Sequence, residues 1–492
     1  MNGPARLRRL ASYALPVALL FAISACSGGH PNSTLVPHSD LGREIDFLWD
    51  RLLLLGTIVF VLTEAALLFI VFKYRHREGQ GKPPQIHGST GLEITWTLIP
   101  AVILVFIAVP TVRTIVTTQA AAAPGSLNID VTGHQWWWEF KYPEYGITTA
   151  NEIYIPVGRT VNFRLRSADV IHSFWTPQLG GKRDVVTNRT NYLWLTPDSS
   201  TTSQVWNGFC AEYCGTAHTY MRFRVFTVTP SEFESWVAGQ RLPARFGAVA
   251  SATPAPGTGA TGTGGAGTGA TGAAPAPGMV ATSPAQSPAG VPTEAAQGAA
   301  ERIATQSSGT GTVGGRAPAV PRGREPEANP GAQAGADSGT ARFASASAIP
   351  PGYVFPKERI PDYAVPNAPI PGTLRFTAGL TGNAHRGRQI FSTKTCIGCH
   401  AIAGNPTAVG VLGPNLTHFG SRSTIGAGLY PNTPAYLALW IKNARAMKPG
   451  SLMPTLGLDE TDRTLKTKVT AAGGGLTDQE IADIVAYLTS LK

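Results

Sequence analysis

The chain has 492 residues, of which 43% are hydrophobic and only 14% are charged, and its formal net charge is +10. A chain this long exceeds a single hydrophobic core, so several domains are expected. The sparse charge excludes both a fully disordered acidic chain and an ordinary cytosolic enzyme with a heavily charged surface. The positive charges do not gather in a basic arm, so no nucleic-acid partner is expected. Five cysteines, an odd number, are too few for a disulfide scaffold of this size.

Residues 1–25 have the pattern of a secretory signal peptide. Basic residues precede the apolar stretch 10–22, and small residues lead up to Cys26. A cysteine directly after small residues is similar to a bacterial lipoprotein box, which predicts a lipid on Cys26. The alternative is a plain signal cut near Ala25, which would leave Cys26 as a free thiol.

Two apolar segments predict a transmembrane hairpin over residues 47–112. Leu52–Phe72 and Ile94–Val112 are each about twenty residues long, enough to cross a bilayer. The basic loop 73–82 between them predicts a cytoplasmic turn. The segment 26–46 and everything after the hairpin would then lie outside, on the periplasmic side of a bacterial cell membrane.

Residues 246–349 are predicted to be a disordered linker. Between 251 and 300, 44 of 50 residues are Ala, Gly, Pro, Ser or Thr, and none is aromatic. Such a composition cannot bury enough apolar surface to offset its chain entropy. The linker separates an outer domain at 113–245 from a C-terminal domain at 350–492. We expect it to act as a tether of roughly 50–60 Å that keeps the two domains at high local concentration.

The C-terminal domain contains the pattern C-x-x-C-H at residues 396–400, the attachment signature of c-type haem. The bare pattern also occurs by chance and in zinc or redox sites. Here a helical stretch at 384–391 precedes it, and an amphipathic helix that begins at Thr477, with a capping box completed by Glu480, ends the chain. This order of features resembles class I cytochrome c, which implies an all-α domain with one covalently bound haem c.

The same resemblance implies the haem ligands. Cys396 and Cys399 would hold the haem covalently, and His400 would ligate the iron on one side. Met453, which precedes a proline after a polar loop, would be the sixth ligand, with Met447 as its rival and a core methionine as the alternative for either. With both axial positions filled, no position is open for substrate, so electron transfer is the expected role.

The outer domain contains C-x-E-x-C-x3-H-x2-M over residues 210–221. Two thiolates, an imidazole and a thioether in so short a segment favour copper over magnesium or calcium. A disulfide between the two cysteines and a zinc site are the alternatives. The stretches 152–167 and 221–229 alternate apolar and polar residues, which predicts strands of a half-buried antiparallel sheet. We therefore expect a rigid β-sandwich around the site.

Placed after a two-span hairpin, this motif resembles the binuclear CuA site of cytochrome c oxidase subunit II, and the resemblance covers residues 40–235. It implies a cupredoxin-like sandwich that binds two copper ions. The implied ligands are the bridging sulfurs of Cys210 and Cys214, the terminal imidazoles of His172 and His218, the weakly bound Met221 and the backbone carbonyl of Glu212. The Glu212 carboxylate would also reach a magnesium ion at the border with the catalytic subunit.

Two further residues acquire roles from the resemblance. Trp136 matches an aromatic patch through which electrons enter the domain, although exposed tryptophans also pack against partner proteins. Glu93 matches the glutamate at the mouth of a proton path into the catalytic subunit, although Thr90 and Glu93 also form the pattern of a capping box.

A copper domain followed by a cytochrome resembles the caa-type haem–copper oxidases. This implies a subunit II that takes electrons from an external donor, such as a quinol–cytochrome c reductase or its cytochrome. The electrons would pass through its haem c and the copper pair to subunit I, where oxygen is reduced to water and protons are pumped. Subunit III is a further expected partner.

Three other functions are weighed against this interpretation. A copper-dependent nitric oxide reductase has a small subunit that looks alike. A lipid-anchored electron shuttle or copper carrier would have no catalytic partner, but Glu64 lies inside the first span and an acid there is expected to face a protein partner. A quinol oxidase subunit would lack the copper ligands.

Overall fold

The computed structural model describes residues 32–76, 79, 81, 87–200, 202–244, 246 and 352–492. The predicted signal peptide, the lipidation of Cys26 and nearly all of the predicted linker lie outside the described residues. Within them the chain forms two long helices, a β-sandwich of two sheets and a C-terminal helical domain. The predicted fold class is confirmed in these three parts.

The hairpin consists of helices α1 (Asp40–Lys73) and α2 (Thr90–Gln119). Both are long and apolar enough to cross a membrane. They contain 34 and 30 residues, or about 51 and 45 Å at 1.5 Å per residue. Both helices begin before and end after the predicted apolar segments, and both are longer than the hydrocarbon core of a bilayer, which is about 30 Å thick.

The start of α1 is fixed to the sandwich. Ser39, at its N-cap, is buried and its hydroxyl donates to the carbonyl of Leu179 at 2.6 Å. The Asp40 carboxylate accepts from the backbone N–H of Thr196 at 2.6 Å, and Leu41 joins the sandwich core. These contacts set the position from which the first helix leaves the sandwich.

The sandwich is built from ten strands. They are β1 (Leu127–His134), β2 (Trp137–Tyr142), β3 (Ile147–Ala150), β4 (Glu152–Pro156), β5 (Val161–Ser167), β6 (His172–Trp175), β7 (Arg183–Val185), β8 (Asn191–Leu195), β9 (Gln204–Cys210) and β10 (Arg222–Val228). The strand order is β3-β2-β1-β5-β8 in one sheet and β4-β10-β9-β6-β7 in the other. Helix α3 (Pro230–Gln240) follows, with a capping box between Thr229 and Glu232.

The second sheet differs from the half-buried antiparallel sheet that the sequence predicts. Strand β4 pairs with β10 in parallel, and all five of its residues are buried. Its alternation is lost because the second face of the sheet is also covered. Phe355 and Ala364, which the sequence assigns to the C-terminal domain, are buried in the sandwich core.

The C-terminal domain has five helices and one small hairpin among the described residues. They are α4 (Ala384–Thr393), α5 (Cys396–Cys399), β11 (Thr424–Ile425), β12 (Tyr430–Pro431), α6 (Pro434–Lys442), α7 (Ala444–Met447) and α8 (Asp478–Ser490). The predicted capping box of Thr477 and Glu480 is present at the start of α8. Helices α4 and α8 pack together, and the buried apolar face of α8 completes the core.

Candidate metal and haem sites

The two cysteines of the copper motif lie side by side as free thiols. Both are buried, and their sulfurs are 3.7 Å apart. Cys210 ends β9, and a short turn brings Cys214 back against it. The structure therefore does not form the alternative disulfide, and both sulfurs remain able to bind a metal.

One imidazole faces each thiol. His172 Nδ1 lies 3.8 Å from Cys210 Sγ, and His218 Nδ1 lies 3.7 Å from Cys214 Sγ. His172 opens β6, which is the neighbour of β9 in the second sheet, whereas His218 opens a 3₁₀ turn. The ligand atoms of His172 and the two cysteines all lie within 4.8 Å of one another. A sheet neighbour and a tight turn thus supply the two histidines.

The remaining predicted ligands complete the cluster. Met221 is fully buried, and its Sδ lies 3.9 Å from Cys214 Sγ. The Cys210 thiol donates to the backbone carbonyl of Glu212 at 3.2 Å. The Glu212 side chain itself is exposed. All six predicted copper ligands therefore converge, and this set of soft and imidazole donors fits copper.

Asp169 is a functional residue that the sequence analysis missed. Its carboxylate contacts His172 Nε2 at 2.8 Å and accepts from the backbone N–H groups of Gln135 and Val170 at 2.6 and 2.7 Å. This contact directs Nδ1 of the imidazole towards Cys210, as partners of metal-ligating histidines do. No local sequence pattern marks an aspartate three residues before a histidine, so only the fold reveals it.

The electrostatics of the cluster favour a charged sulfur. The hydrogen bond between the thiols lowers the pKa of Cys210 and raises the pKa of Cys214, because the second proton must leave beside a thiolate. Burial alone would lower the pKa of His172, but hydrogen bonds to Asp169 and Cys210 raise it overall. One proton thus leaves the cysteine pair readily, which prepares a thiolate for metal binding.

Trp136 connects this cluster to the C-terminal domain. Trp136 Nε1 and Gln135 Nε2 both donate to the carbonyl of Cys214, at 2.9 and 2.8 Å. On its other side, the Lys448 ammonium donates to the backbone carbonyl of Trp136 at 2.6 Å. A Cβ at Gly450, where φ is +93°, would lie only 3.2 Å from the Trp136 ring and 2.5 Å from the Thr216 hydroxyl, so the approach needs glycine.

The haem motif folds as the short helix α5 followed by an oriented histidine. Cys396 and Cys399 are three residues apart on one turn, which places both thiols on the same side. His400 Nδ1 lies 2.8 Å from the carbonyl of Pro414. This contact assigns the proton to Nδ1 and leaves Nε2 as the nitrogen able to ligate iron.

The surroundings of His400 fit an iron ligand. A Cβ at Gly413 would lie 2.7 Å from the imidazole Cε1, so only glycine lets this loop lie against the ring. Burial lowers the pKa of His400, which favours the neutral imidazole that binds metals. Burial also raises the pKa of the Cys396 thiol to about 11, so the free thiol stays protonated at neutral pH.

The two rival methionines lie in different environments. Met447 ends α7, is buried, and has its carbonyl held by the Tyr430 hydroxyl at 2.9 Å. Met453 lies in the loop after α7, partly buried at the edge of the same core. A residue at the core edge can turn to a ligand, whereas Met447 already fills the core. The geometry favours Met453.

Two predicted residues lie away from both sites. Glu93 is in the first turn of α2, and Glu64 is in the middle of α1; both are exposed within this chain. The alternative capping box at Glu93 is not formed, because Ser89 occupies the N-cap and makes no side-chain cap hydrogen bond. Both glutamates are therefore open to a neighbouring subunit.

Three family models match the chain in order. Residues 36–114 match the transmembrane domain of cytochrome c oxidase subunit II, and residues 146–228 match its periplasmic domain. Residues 384–492 match cytochrome c. The order is the one expected from the motifs.

Curated relatives agree with these matches. A cytochrome c oxidase subunit 2 of Alkalihalophilus pseudofirmus is 27% identical, over 99% of both chains. A probable cytochrome c oxidase subunit 2 of Rickettsia bellii is 32% identical, over 43% of this chain and 84% of the relative. A quinol oxidase subunit 2 of Bacillus spizizenii is 35% identical, over 45% of this chain and 71% of the relative.

The matches extend from the membrane hairpin to the last residue, and they coincide with the parts of the fold that hold the two clusters. The periplasmic domain implies a copper A centre, and the cytochrome c domain implies a haem c. The chain therefore belongs to the cytochrome c oxidase subunit II family, as an oxidoreductase subunit of a haem–copper oxidase that associates with subunit I and carries a C-terminal cytochrome c domain.

Proposed function

We propose that this chain is the subunit through which electrons enter a respiratory haem–copper oxidase. Electrons would pass from an external donor to the C-terminal domain, then to the copper domain, and then to subunit I, where oxygen is reduced to water and protons are pumped. The observation that carries the proposal is the convergence of Cys210, Cys214, His172 and His218. Each imidazole nitrogen lies within 4 Å of a thiol sulfur.

The proposed groups are two copper ions and one haem c, which supply one-electron redox chemistry when bound. Two sulfurs flanked by one imidazole each form a donor set suited to a bridged copper pair rather than a single ion. Asp169 holds one of those imidazoles in orientation. On the haem side, Cys396 and Cys399 would attach the group, and His400 would ligate its iron.

Trp136 is proposed as the residue through which electrons reach the copper domain. It touches the carbonyl of a predicted copper ligand on one side and Lys448 of the cytochrome domain on the other. A short path therefore joins the two domains. It runs through the covalent bonds of Trp136 and has one hydrogen bond at each end. Electron transfer needs such close contact rather than an open substrate pocket.

The membrane part is proposed to face subunit I in a bacterial inner membrane, with the copper and cytochrome domains in the periplasm. Glu64 and Glu93 are exposed in this chain, and an acid inside a membrane span is normally matched by a protein partner. Glu93 would border a proton path, and the exposed Glu212 carboxylate would reach a magnesium ion at the subunit I boundary. Subunit III is proposed as a further partner.

The copper cluster separates this proposal from one of its rivals. A quinol oxidase subunit is expected to lack the copper ligands, whereas all six converge here. A nitric oxide reductase shares such a cluster, so the gas consumed by the purified complex decides between the two. Uptake of oxygen, and not of nitric oxide, is the expected result.

The test of the copper assignment uses the purified complex. Cys210→Ser should abolish the electron spin resonance signal of one electron shared over two copper ions, together with oxygen uptake. Ala211→Ser, which introduces the same serine side chain one residue later, should keep both. A spectrum of a single mononuclear copper in the unmodified protein would overturn the proposal.

A further inference from the structure

Residues 352–365, here called the strap, lie on the copper domain rather than on the cytochrome domain. Two short 3₁₀ turns, Lys357–Arg359 and Asp362–Ala364, interrupt the strap. It contacts helix α3 and strands β4, β10 and β9 of the second sheet. These contacts are spread from Gly352 to Ala364, so the whole segment is held along its length.

The first end of the strap is fixed by its backbone. The N–H of Gly352 donates to the carbonyl of Ser235 at 2.8 Å, and the N–H of Tyr353 donates to the hydroxyl of the same serine at 3.1 Å. Ser235 lies on α3 and is buried. The strap thus begins on the last helix of the copper domain.

Phe355 is the apolar anchor of the strap. Only 2% of its surface is exposed, and its ring lies 5.2 Å from that of Phe226 on β10. Its backbone N–H donates to the hydroxyl of Tyr154 at 3.3 Å. Burial of an aromatic ring in this way is a major source of affinity between surfaces.

Arg359 adds a polar contact beside the anchor. Its guanidinium donates to the carbonyl of Ser203 at 2.9 Å and lies 3.8 Å from the Glu232 carboxylate. The same group lies over the Phe355 ring, 5.1 Å from its centroid. Arg359 therefore covers the apolar anchor and links it to the copper domain.

The far end of the strap is held by β9 and β10. The Tyr363 hydroxyl donates to the carbonyl of Val205 at 3.2 Å, and the Asn207 amide donates to the carbonyl of Tyr363 at 3.2 Å. Ala364 is fully buried, and the Arg224 guanidinium donates to its carbonyl.

Only a few residues separate the strap from the cytochrome domain. The carbonyl of Pro369 accepts from the Tyr430 hydroxyl at 3.3 Å, and Leu374 is buried in the cytochrome core. A second contact between the domains lies near the strap, where the buried Glu152 carboxylate accepts from the backbone N–H groups of Ser423 and Thr424, both at 2.9 Å.

We propose that the strap anchors the cytochrome domain to the copper domain independently of the linker. The connection that limits the cytochrome domain is then the short stretch 366–368 and not residues 246–349. A short connection keeps a domain at a far higher local concentration than a long one. The cytochrome domain should therefore stay on the copper domain when the linker is cut. If the linker were the tether, the same cut would release the cytochrome domain.

The experiment compares two cleavage positions in the full oxidase complex. One variant carries a protease site between Gly290 and Val291, and the other carries the same site between Pro366 and Asn367; both have an affinity tag after Lys492. After cleavage, each complex is bound to a resin through the tag on the cytochrome domain and is washed with high salt. The copper retained on the resin together with that domain is then measured. Copper should remain after the cut at 290 and should be washed away after the cut at 366.

A matched pair of variants tests the anchor itself. Phe355→Ala, combined with the cut at 290, should increase the release of copper at least tenfold. Val354→Ala, at the exposed neighbouring position, should leave the release unchanged. The copper spectrum of each uncut variant shows whether the sandwich is intact.

Two results would overturn the proposal. The first is release of copper after the cut at 290 to the same extent as after the cut at 366. The second is retention of copper after both cuts, which would show that Glu152 and the other direct contacts hold the domains together without the strap. Because neither cleavage site changes a core residue, these outcomes do not depend on the folding of a variant.

Discussion

The Lys448 ammonium lies 2.6 Å from the backbone carbonyl of Trp136, and the indole N–H of the same tryptophan lies 2.9 Å from the carbonyl of Cys214. Two hydrogen bonds therefore connect a loop of the cytochrome domain to the backbone of a predicted copper ligand. The tryptophan itself is partly buried.

The first prediction concerns this contact. Lys448→Ala removes a hydrogen bond from a charged donor, worth about 1.5–3 kcal/mol, which corresponds to roughly a 10- to 150-fold fall in the docking equilibrium constant. The rate of electron transfer from haem to copper, measured optically after rapid reduction, should fall while both static spectra stay unchanged. Lys468→Ala is the control, because this exposed lysine pairs with the exposed Asp459 and lies away from Trp136 among the described residues. An equal effect of both variants would contradict the prediction.

The second prediction concerns the partner of the copper-ligating histidine. Asp169→Asn removes the carboxylate that orients His172, and such losses weaken metal binding by about 10–100-fold. The measurement is copper retained by the complex in competition with a chelator. Asp184→Asn, at an exposed position on β7, should retain copper like the unmodified protein. If both variants retain copper equally, Asp169 has no orienting role.

The third prediction separates the two methionines. Met453→Ala should remove the weak long-wavelength absorption band of sulfur-to-iron charge transfer, because the loop at the core edge would lose its thioether. Met447→Ala should keep that band but lower the free energy of unfolding by about 2–5 kcal/mol, since it leaves a cavity in the core. Loss of the band in Met447→Ala alone would reverse the assignment.

The fourth prediction is a pH dependence of the cytochrome domain. Burial alone would raise the pKa of Asp483, but hydrogen bonds from Arg386 and from the backbone N–H of Asn383 lower it overall. A lowered pKa in the folded state contributes stability above the ordinary Asp value of about 4, and that stability is lost as the pH falls through the folded value.

Asp483→Asn should therefore lower the thermal midpoint of the haem absorption at pH 7. The difference from the unmodified protein should shrink below about pH 4, where an ordinary aspartate is itself protonated. Asp459→Asn, at an exposed carboxylate, should have no such effect. A difference that is constant from pH 7 to pH 3 would show that the effect is steric.

The sequence predicts most of the two sites because their chemistry is concentrated in short motifs. Five of the six predicted copper ligands lie within residues 210–221, and the haem attachment lies within 396–400. The strand order then brings His172 beside them. This step depended on the family resemblance, since a single histidine in a strand carries no signal of its own.

The contacts missed by the sequence analysis come from long-range packing. The strap has two prolines and neither helical nor strand periodicity, so its sequence does not show which domain it covers. Glu152 looks like an ordinary polar residue at the start of a strand, yet its carboxylate is buried against residues about 270 positions later. Such pairings depend on the complete fold and leave no local pattern.

The position of Phe355 in the sandwich core has a consequence for how the protein is made. Synthesis delivers the chain from its N-terminus, so β10 emerges more than 100 residues before the aromatic ring that covers it. At about 5–20 residues per second of synthesis, this delay is roughly 5–25 s. During that interval Tyr154 and Phe226 lack the Phe355 ring, so this face of the new domain carries exposed apolar surface that can aggregate.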